Sequence, residues 1–428
     1  AIHSVVFGGF AAGSLATRID DAKPVLMVSS DAGMRNGKPV PYKHLVDEAC
    51  KLAEFPPAKV LIIDRGLDKG FPRVEGRDVD YAELRTKHLD AAVPVTWLES
   101  SEPSYILYTS GTTGKPKGVM HTSNTMLSNL GPFAQRLGLD GEAVIHMPSP
   151  MAHQLGFMYG LVLPVMLGAT AVLQDVFVAG EMARQITGEG ATFTMGATPF
   201  LNDLTEFVAA SGQATPTLRI FVSAGAPIPR ALVTRARATL GAAIISAWGM
   251  SENGAVTTTR PDDPEEKTTS TDGLALPGME VRVLDADGRP VAAGVEGSLQ
   301  VRGCSNFVGY LRRPELDPKD PDGWFDTGDL ARMDEAGYIR IAGRSKDIII
   351  RGGENIPVVE VEGLLFRHPA VAAVAIVGYP DERLGERACA FVVLREGQSL
   401  TFEAMVAYLA DQKMARQYIP ERLEIVAD

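Results

Sequence analysis

The sequence predicts an α/β protein in two parts. A large N-terminal domain of layered, mostly parallel sheets with a small antiparallel β unit precedes a small α+β C-terminal domain. Three observations carry this. From Pro24 to about Trp248, short β-type runs alternate with longer helical patterns, as in helices packed on parallel sheets. Those runs are nearly continuous in apolar residues, as strands buried on both faces are. Beyond Pro261 the runs alternate in polarity around Asp/Glu-Gly turns, which marks hairpins.

In order, the strands are Pro24–Ser30, Lys59–Asp64, Tyr105–Ser110, Ala143–Ser149, Ala191–Met195, Arg219–Gly225 and Ala242–Trp248. Helical patterns cover His44–Glu54, Thr122–Leu137, Pro199–Ser211 and Pro229–Leu240. The most apolar stretch, Gly156–Leu173, is interrupted by Pro164, Gly168 and Thr170. It falls short of the ~20 apolar residues of a membrane span and reads as a buried helix followed by a strand. "MEVRVLDADGRPV" and "ARMDEAGYIRIAG" read as hairpins within a β-rich subdomain, 262–345. After a boundary near Lys346, residues 346–428 form the small domain: a strand, a helix Val358–His368, strands Val371–Gly378 and Arg387–Arg395, and a helix Phe402–Lys413. Both ends, "AIHSVVFGGF" and "RLEIVAD", break into folded patterns and read as incomplete.

Composition narrows the partners. The chain has 428 residues, more than one ordinary domain, and a net charge of −12. That charge argues against nucleic acid or an anionic membrane, though not against a local basic pocket. Cys50, Cys304 and Cys389 lie far apart without metal-type spacing. They read as small buried hydrophobes in a reducing, cytoplasmic setting. Oligomeric state is left open.

"YILYTSGTTGKPKGV" (Tyr105–Val119) follows a strand-like run with Gly, Ser, Thr and two lysines. Successive backbone N–H groups in such a loop converge on an anion. The hydroxyls of Ser110, Thr112 and Thr113 and the charges of Lys115 and Lys117 add to it. The G-x-x-x-x-G-K-[ST] phosphate loop is not met, because only two residues separate Gly111 from Gly114. A solvated Gly-rich turn is the alternative.

"YTSGTTGKPKGV" resembles the signature loop of the acyl-adenylate-forming superfamily, which includes acyl-CoA synthetases, adenylation domains and luciferases. Three further motifs follow in the family's order: "AWGMSE" (Ala247–Glu252), "WFDTGDL" (Trp324–Leu330) and "GRSKDIIIRGGENIPVVEVE" (Gly343–Glu362). Residues 1–119 resemble propionyl-CoA synthetases and residues 120–428 cyclohexanecarboxylate-CoA ligases. The resemblance implies that a carboxylate attacks ATP to give an acyl-adenylate and pyrophosphate, and that CoA then takes the acyl group. ATP, Mg²⁺ and CoA are the implied cofactors.

Site roles come from the same resemblance. Thr109, Ser110, Gly111, Thr112, Thr113, Gly114, Lys115 and Lys117 would wrap the β- and γ-phosphates. Ser251, beside Gly249 and Met250, would bond the α-phosphate, and Glu252 would hold Mg²⁺. Gly225, Ala226, Pro227 and Trp248 would flank adenine, and Asp329 with Arg344 would hold the ribose. Lys346 falls at the family's hinge, which implies that the small C-terminal domain is mobile, and Gly352 and Gly353 would approach the pantetheine arm. Glu252 as a solvated helix start and Asp329 as a turn former are the bland alternatives. His153 stands equally as a residue near the substrate carboxylate or as a packed histidine.

The family's adenylating lysine lies in a Pro-x-x-x-x-Gly-Lys motif soon after a segment like "PERLEIVAD", and no residue of this sequence is assigned to it. Gly249 stands where acetate-type enzymes carry a Trp that shortens the acyl pocket. A medium-chain or cyclic carboxylate is therefore expected, with Phe157, Met195 and Phe200 on the pocket wall. Two other functions remain at this point: loading of a carrier-protein thiol, and nucleotide or acyl-adenylate binding without catalysis.

Overall fold

A computed structural model describes residues 2–8, 10–35, 37–109, 116–225, 228–345, 349–351, 354–356, 358–381, 385–412, 414 and 416–427. Its centre is a seven-stranded sheet. Across it run Leu274–Ala275, Gly254–Thr258, Ala243–Met250, Ile220–Ala224, Phe193–Ala197, Val144–Met147 and Thr170–Leu173. The last five are mutually parallel, and the first two are antiparallel additions. Apolar residues on both sheet faces explain the two clusters packed against it. One gathers Phe133, Tyr159, Phe193 and Ile245, and the other Leu204, Phe221, Leu232 and Ile244. The α/β class follows directly from these parallel, doubly covered strands.

Ahead of this sheet, Leu26–Ser30, Lys59–Ile63 and Asp78–Asp80 form a smaller parallel sheet. Helices Ala12–Ala22 and Tyr42–Leu52 pack on it through Ala16, Ile19, Val46 and Ala49. Lys43 is fully buried there, its Nζ 2.6 Å from Asp47 and 2.9 Å from Asp78. The Asp31 carboxylate accepts the backbone amides of Arg65, Leu67 and Asp68. These bonds outweigh its desolvation and hold its pKa down at about 2.

Several expectations change in detail. The Tyr105 run does not join a parallel sheet: Pro103–Thr109 pairs antiparallel with Lys117–Thr122, and Gly309–Tyr310 adds to the other side. The two strands flank the Gly-rich segment in the sequence. The apolar stretch after Gly156 is a helix and then a strand, but its first part, Leu155–Val162, is a π-helix. A Cβ on Gly156 would come within 2.2 Å of the Pro150 carbonyl oxygen, so only glycine allows that approach. "MEVRVLDADGRPV" is not a simple hairpin, because Met279–Leu284 takes Glu296–Gly303 as its partner. "ARMDEAGYIRIAG" is one: Met333 pairs with Ile339 and Asp329 with Arg344. Cys304 is exposed, while Cys50 and Cys389 are buried.

Residues 349–425 have a sheet of their own, Glu354–Ile356, Ile349–Arg351, Gly385–Leu394 and Val371–Asp381, with Arg422–Ile425 added in parallel. Helices Val358–Leu365 and Phe402–Asp411 close a separate core of Val361, Leu365, Val392 and Leu409 over it. Among the described residues, no helix is long and apolar enough to cross a membrane.

Candidate active site

A cavity of about 990 Å³ lies where the strand ends of the central sheet meet the Pro103–Thr122 hairpin and the Phe325–Arg344 hairpin. Its lining includes Thr109, Lys117, His153, Gly225, Trp248, Gly249, Met250, Ser251, Glu252 and Arg344. Residues as far apart as Thr109 and Arg344, 235 positions, are thereby gathered on one space. Ser110, Gly111, Thr112, Thr113, Gly114, Lys115, Ala226, Pro227, Lys346, Gly352 and Gly353 lie outside the described residues. Thr109 Oγ1 is buried with no partner among the described residues.

The turn bearing Ser251 and Glu252 is held from several sides. Met250 N–H donates to Asn253 Oδ1 at 3.0 Å, and Asn253 N–H returns to the Met250 carbonyl at 3.1 Å. The Ser251 carbonyl lies 2.7 Å from His121 Nε2 and accepts from Gln154 Nε2 at 3.1 Å. Burial lowers the His121 pKa, so its ring is neutral, with Nε2 protonated toward that carbonyl. Asn129 donates to the carbonyls of Asn253 and Ala255, and its own Oδ1 accepts the Tyr159 hydroxyl at 2.7 Å. These bonds hold the turn in one conformation, although Asn253 Nδ2 is buried with no partner among the described residues.

Glu252 is 6% exposed. The Tyr310 hydroxyl donates to its Oε1 at 2.8 Å, and Lys117 Nζ sits 3.5 Å from the same hydroxyl and 4.5 Å from the Tyr310 ring centre. Burial raises the Glu252 pKa, while Tyr310 and the charges of Lys117 and Arg344 favour its ionised form. The solvated-helix alternative for Glu252 is thus excluded. Tyr310 itself is held protonated by burial and by the neighbouring carboxylate. It was not found from the sequence, where "VGYLRR" carries no signal beyond a strand end. Gln154, His121 and Asn129 were missed for the same reason.

At the far side, Trp248 Nε1–H donates to Asp329 Oδ2 at 2.9 Å, and Arg344 Nε lies 3.3 Å from Asp329 Oδ1. Asp329 is 6% exposed and stands behind these two partners, which both line the cavity. Its place on a hairpin strand opposite Arg344 makes it more than a turn former. Carboxylate oxygens carry about four acceptor sites in all. Gly225, at φ +85°, lets the chain turn sharply at the cavity edge.

His153 is open to the cavity, not packed away. Its Nδ1 accepts the Leu155 amide at 3.2 Å, which leaves the proton of the neutral ring on Nε2. Crowding by the cleft walls lowers its pKa and favours that neutral form. Met195 and Phe200 line the cavity, but Phe157 does not. Phe157 stacks at 3.9 Å on Tyr105 in the core, a correction to its expected place on the wall. Gly249 also needs correction. A Cβ there would meet the Gly254 carbonyl oxygen at 1.8 Å, so its glycine serves the bulge between neighbouring strands. No side chain fits at that position on this backbone, so room in the cavity is not explained by its absence.

The cavity carries Arg18, Lys117 and Arg344 against Glu252 and Asp326, a cationic lining on an acidic protein. It suits a polyanion with an apolar end, since Met195, Ala197, Phe200 and Ala224 complete another wall. Among the described residues, no three His, Cys, Asp or Glu side chains are grouped to hold a metal. A divalent cation here would rest on Glu252 together with ligand oxygens. That pattern fits Mg²⁺, which is commonly bound by one or two carboxylates and substrate phosphates.

Comparison with known proteins agrees with this geometry. Residues 1–311 match the AMP-binding enzyme family, and residues 360–428 match the AMP-binding enzyme C-terminal domain. The chain is 37% identical over 364 residues to a medium-chain fatty-acid–CoA ligase of Escherichia coli K12, covering 84% of this chain and 64% of that protein. It is 34% identical over 427 residues to a propionate–CoA ligase of the same organism, covering 94% and 66%. It thus spans just under two thirds of the length of these relatives. The propionate ligase match also runs well past residue 119. ATP-bound MatB of Rhodopseudomonas palustris superposes with a TM-score of 0.84 at 26% identity, over 100% of this chain and 80% of that one. The amide bond synthetase McbA of Marinactinospora thermotolerans gives 0.81 at 28%, over 98% and 79%.

Proposed function

The chain belongs to the AMP-binding enzyme family, within the adenylate-forming superfamily, and from that premise we propose that the protein is an AMP-forming carboxylic acid–CoA ligase. The Glu252–Tyr310–Lys117 cluster supports this most: a buried carboxylate, its hydroxyl donor and a cation share one cavity with an apolar wall. ATP would lie with its phosphates toward Lys117 and the loop through residues 110–115, and its base against Trp248. Asp329, held by Trp248 and Arg344, would accept the ribose hydroxyls. Glu252 would hold Mg²⁺, which would supply neutralisation of phosphate charge.

In the first half-reaction a carboxylate oxygen of the acid forms a bond to the α-phosphorus, and the bond from that phosphorus to the bridging oxygen breaks. Pyrophosphate leaves. Lys117 counters charge on the departing phosphates, Ser251 orients the α-phosphate, and His153 Nε2–H donates to the acid's free oxygen. In the second half-reaction the CoA thiol gives its proton to solvent, its sulfur bonds to the acyl carbon, and the bond from that carbon to the phosphate oxygen breaks to release AMP. A division at 345/346, with residues 346–428 closing as a lid between the two halves, belongs to the same proposal. So does a cytoplasmic location.

Met195 and Phe200 on the apolar wall favour a medium-chain or cyclic acid over acetate. Each additional buried methylene contributes about 0.8 kcal/mol. The test is acid-dependent release of pyrophosphate and AMP, with CoA and ATP, across propionate, octanoate, cyclohexanecarboxylate and benzoate. AMP formation needing both acid and CoA supports the ligase. Acid-dependent pyrophosphate with no CoA dependence would replace it by the second reading, transfer to a carrier thiol or another acceptor. ATP binding with no acid dependence at all would leave only a nucleotide-binding protein.

A further inference from the structure

A second cleft, of about 430 Å³, opens between the Arg230–Leu240 helix and the C-terminal part of the chain. Arg235, Arg367, His368 and Arg395 line it beside Leu232 and Phe366. The arrangement is short of negative charge. Arg235 Nη1 and Arg395 Nη1 each lie 2.8 Å from the same atom, Oε1 of Glu206. One carboxylate thus answers two guanidinium groups, and Arg367 brings a third. Arg235 donates through Nη2 to Asn202 Oδ1 at 2.9 Å, yet its Nε is buried with no partner among the described residues. Arg367 is exposed, and among the described residues its Nε reaches only the Gly363 carbonyl, at 3.3 Å. His368 Nδ1 accepts the Ala370 amide at 3.2 Å, so in the neutral ring Nε2 carries the proton as one more donor.

Arginine forks match oxyanions in geometry, and phosphate offers several acceptors at once. Solvated arginines on a surface would need no such convergence, and an ion-paired interface would supply a carboxylate for each. Here the chain as a whole is strongly acidic, with a net charge of −12, yet this cleft holds an excess of cations. We propose that the cleft is a binding site for a small phosphate-bearing anion, held jointly by Arg235 from the N-terminal part and by Arg367 and Arg395 from the C-terminal part. A ligand there ties the two parts together at a place separate from the large cavity. The inference stands apart from the proposed reaction, since none of these residues lines that cavity.

The experiment is calorimetric titration of the protein with inorganic pyrophosphate and, separately, orthophosphate, in low-chloride buffer. The phosphate loop would take the same anions, so both titrations are repeated on Lys117→Ala to weaken that first site. In that background, Arg367→Gln should weaken binding about tenfold. Glu206→Gln should tighten it several-fold, because it frees two guanidinium forks from a competing carboxylate. A purely structural ion-pair cluster predicts the opposite for Glu206→Gln, a less stable protein with no gain in affinity. Arg367 is exposed and, among the described residues, bonded only to one backbone carbonyl, so its variant folds and keeps the test decisive. Stronger binding of pyrophosphate than of orthophosphate assigns two phosphoryl groups to the site, and the reverse assigns one. Unchanged affinity in Arg367→Gln, or no tightening in Glu206→Gln, overturns the proposal.

Discussion

Tyr310→Phe is the sharpest test of the cavity's chemistry, because it removes one oxygen and little else. The ring keeps its packing against Phe307, 4.8 Å away, and its face toward Lys117. What is lost is the 2.8 Å hydrogen bond to Glu252, a buried acceptor. A hydrogen bond to a charged group contributes about 1.5–3 kcal/mol, which corresponds to roughly ten- to hundredfold in an equilibrium constant. That difference falls on the ionised form of Glu252, whose pKa burial already raises. With its donor gone, the carboxylate protonates at higher pH. Binding of Mg²⁺–ATP at neutral pH should therefore weaken by about that factor, and the acid limb of the affinity profile should move to higher pH. Fluorescence titration with a nucleotide analogue across pH 5.5–8.5 reads both effects. An unchanged affinity with an unmoved acid limb would refute the claim that Tyr310 tunes Glu252. A loss of affinity equal at every pH would assign Tyr310 a packing role instead.

Glu252→Gln should raise thermal stability near neutrality while abolishing the metal-dependent part of nucleotide binding. The sign follows from a folded pKa above the unfolded one: the stability this group allows is full below its unfolded pKa and is lost as pH rises through the folded value. Melting curves of the two proteins should therefore converge in acid, and a variant less stable at pH 7 would contradict the reasoning. Gly249→Ala drives a Cβ toward the Gly254 carbonyl oxygen, which cannot move without breaking the strand pairing. A loss of about 1–3 kcal/mol or more is expected by denaturant unfolding, and an unaffected midpoint would show that the bulge relaxes. Trp248→Phe removes the indole N–H from Asp329 but keeps an aromatic face. It should raise the apparent KM for ATP several-fold with little change in the KM for the acid.

The fold was legible wherever period and burial coincide. The parallel strands around Phe193, Ile220 and Ala243 are buried on both faces, so their apolar runs could mean little else. Pairing partners were less legible. Met279–Leu284 joins Glu296–Gly303 across an intervening loop, because an Asp-Gly turn indicates a reversal without saying which strand is met next. At the cavity and just behind its wall, sequence motifs pointed to Trp248, Glu252 and Asp329, while Tyr310, Gln154 and His121 stayed hidden. Each of these three acts through one hydrogen bond across more than 50 positions, and no local pattern encodes such a contact. Phe157 shows the converse failure, as an aromatic near a motif that packs into the core.

The two charged clusters of the cavity rest on different supports, and this bears on how each can be altered. Glu252 is fixed by a turn whose carbonyls are held by His121, Gln154, Asn129 and Ser305, all from outside the Phe325–Arg344 hairpin. Asp329 and Arg344 face each other across that hairpin and reach the central sheet through Trp248. A change at Tyr310 should therefore leave the Trp248–Asp329 bond intact, and a change at Trp248 should leave Glu252 paired. Among the described residues, Tyr310 and Trp248 share no hydrogen-bond partner, and sites of that kind combine nearly additively. The Tyr310→Phe, Trp248→Phe double variant should thus show a loss in nucleotide affinity close to the product of the two single losses. A clear departure from that product would mean the clusters communicate, either through Arg344, whose charge acts on both Glu252 and Asp329, or through the bound nucleotide.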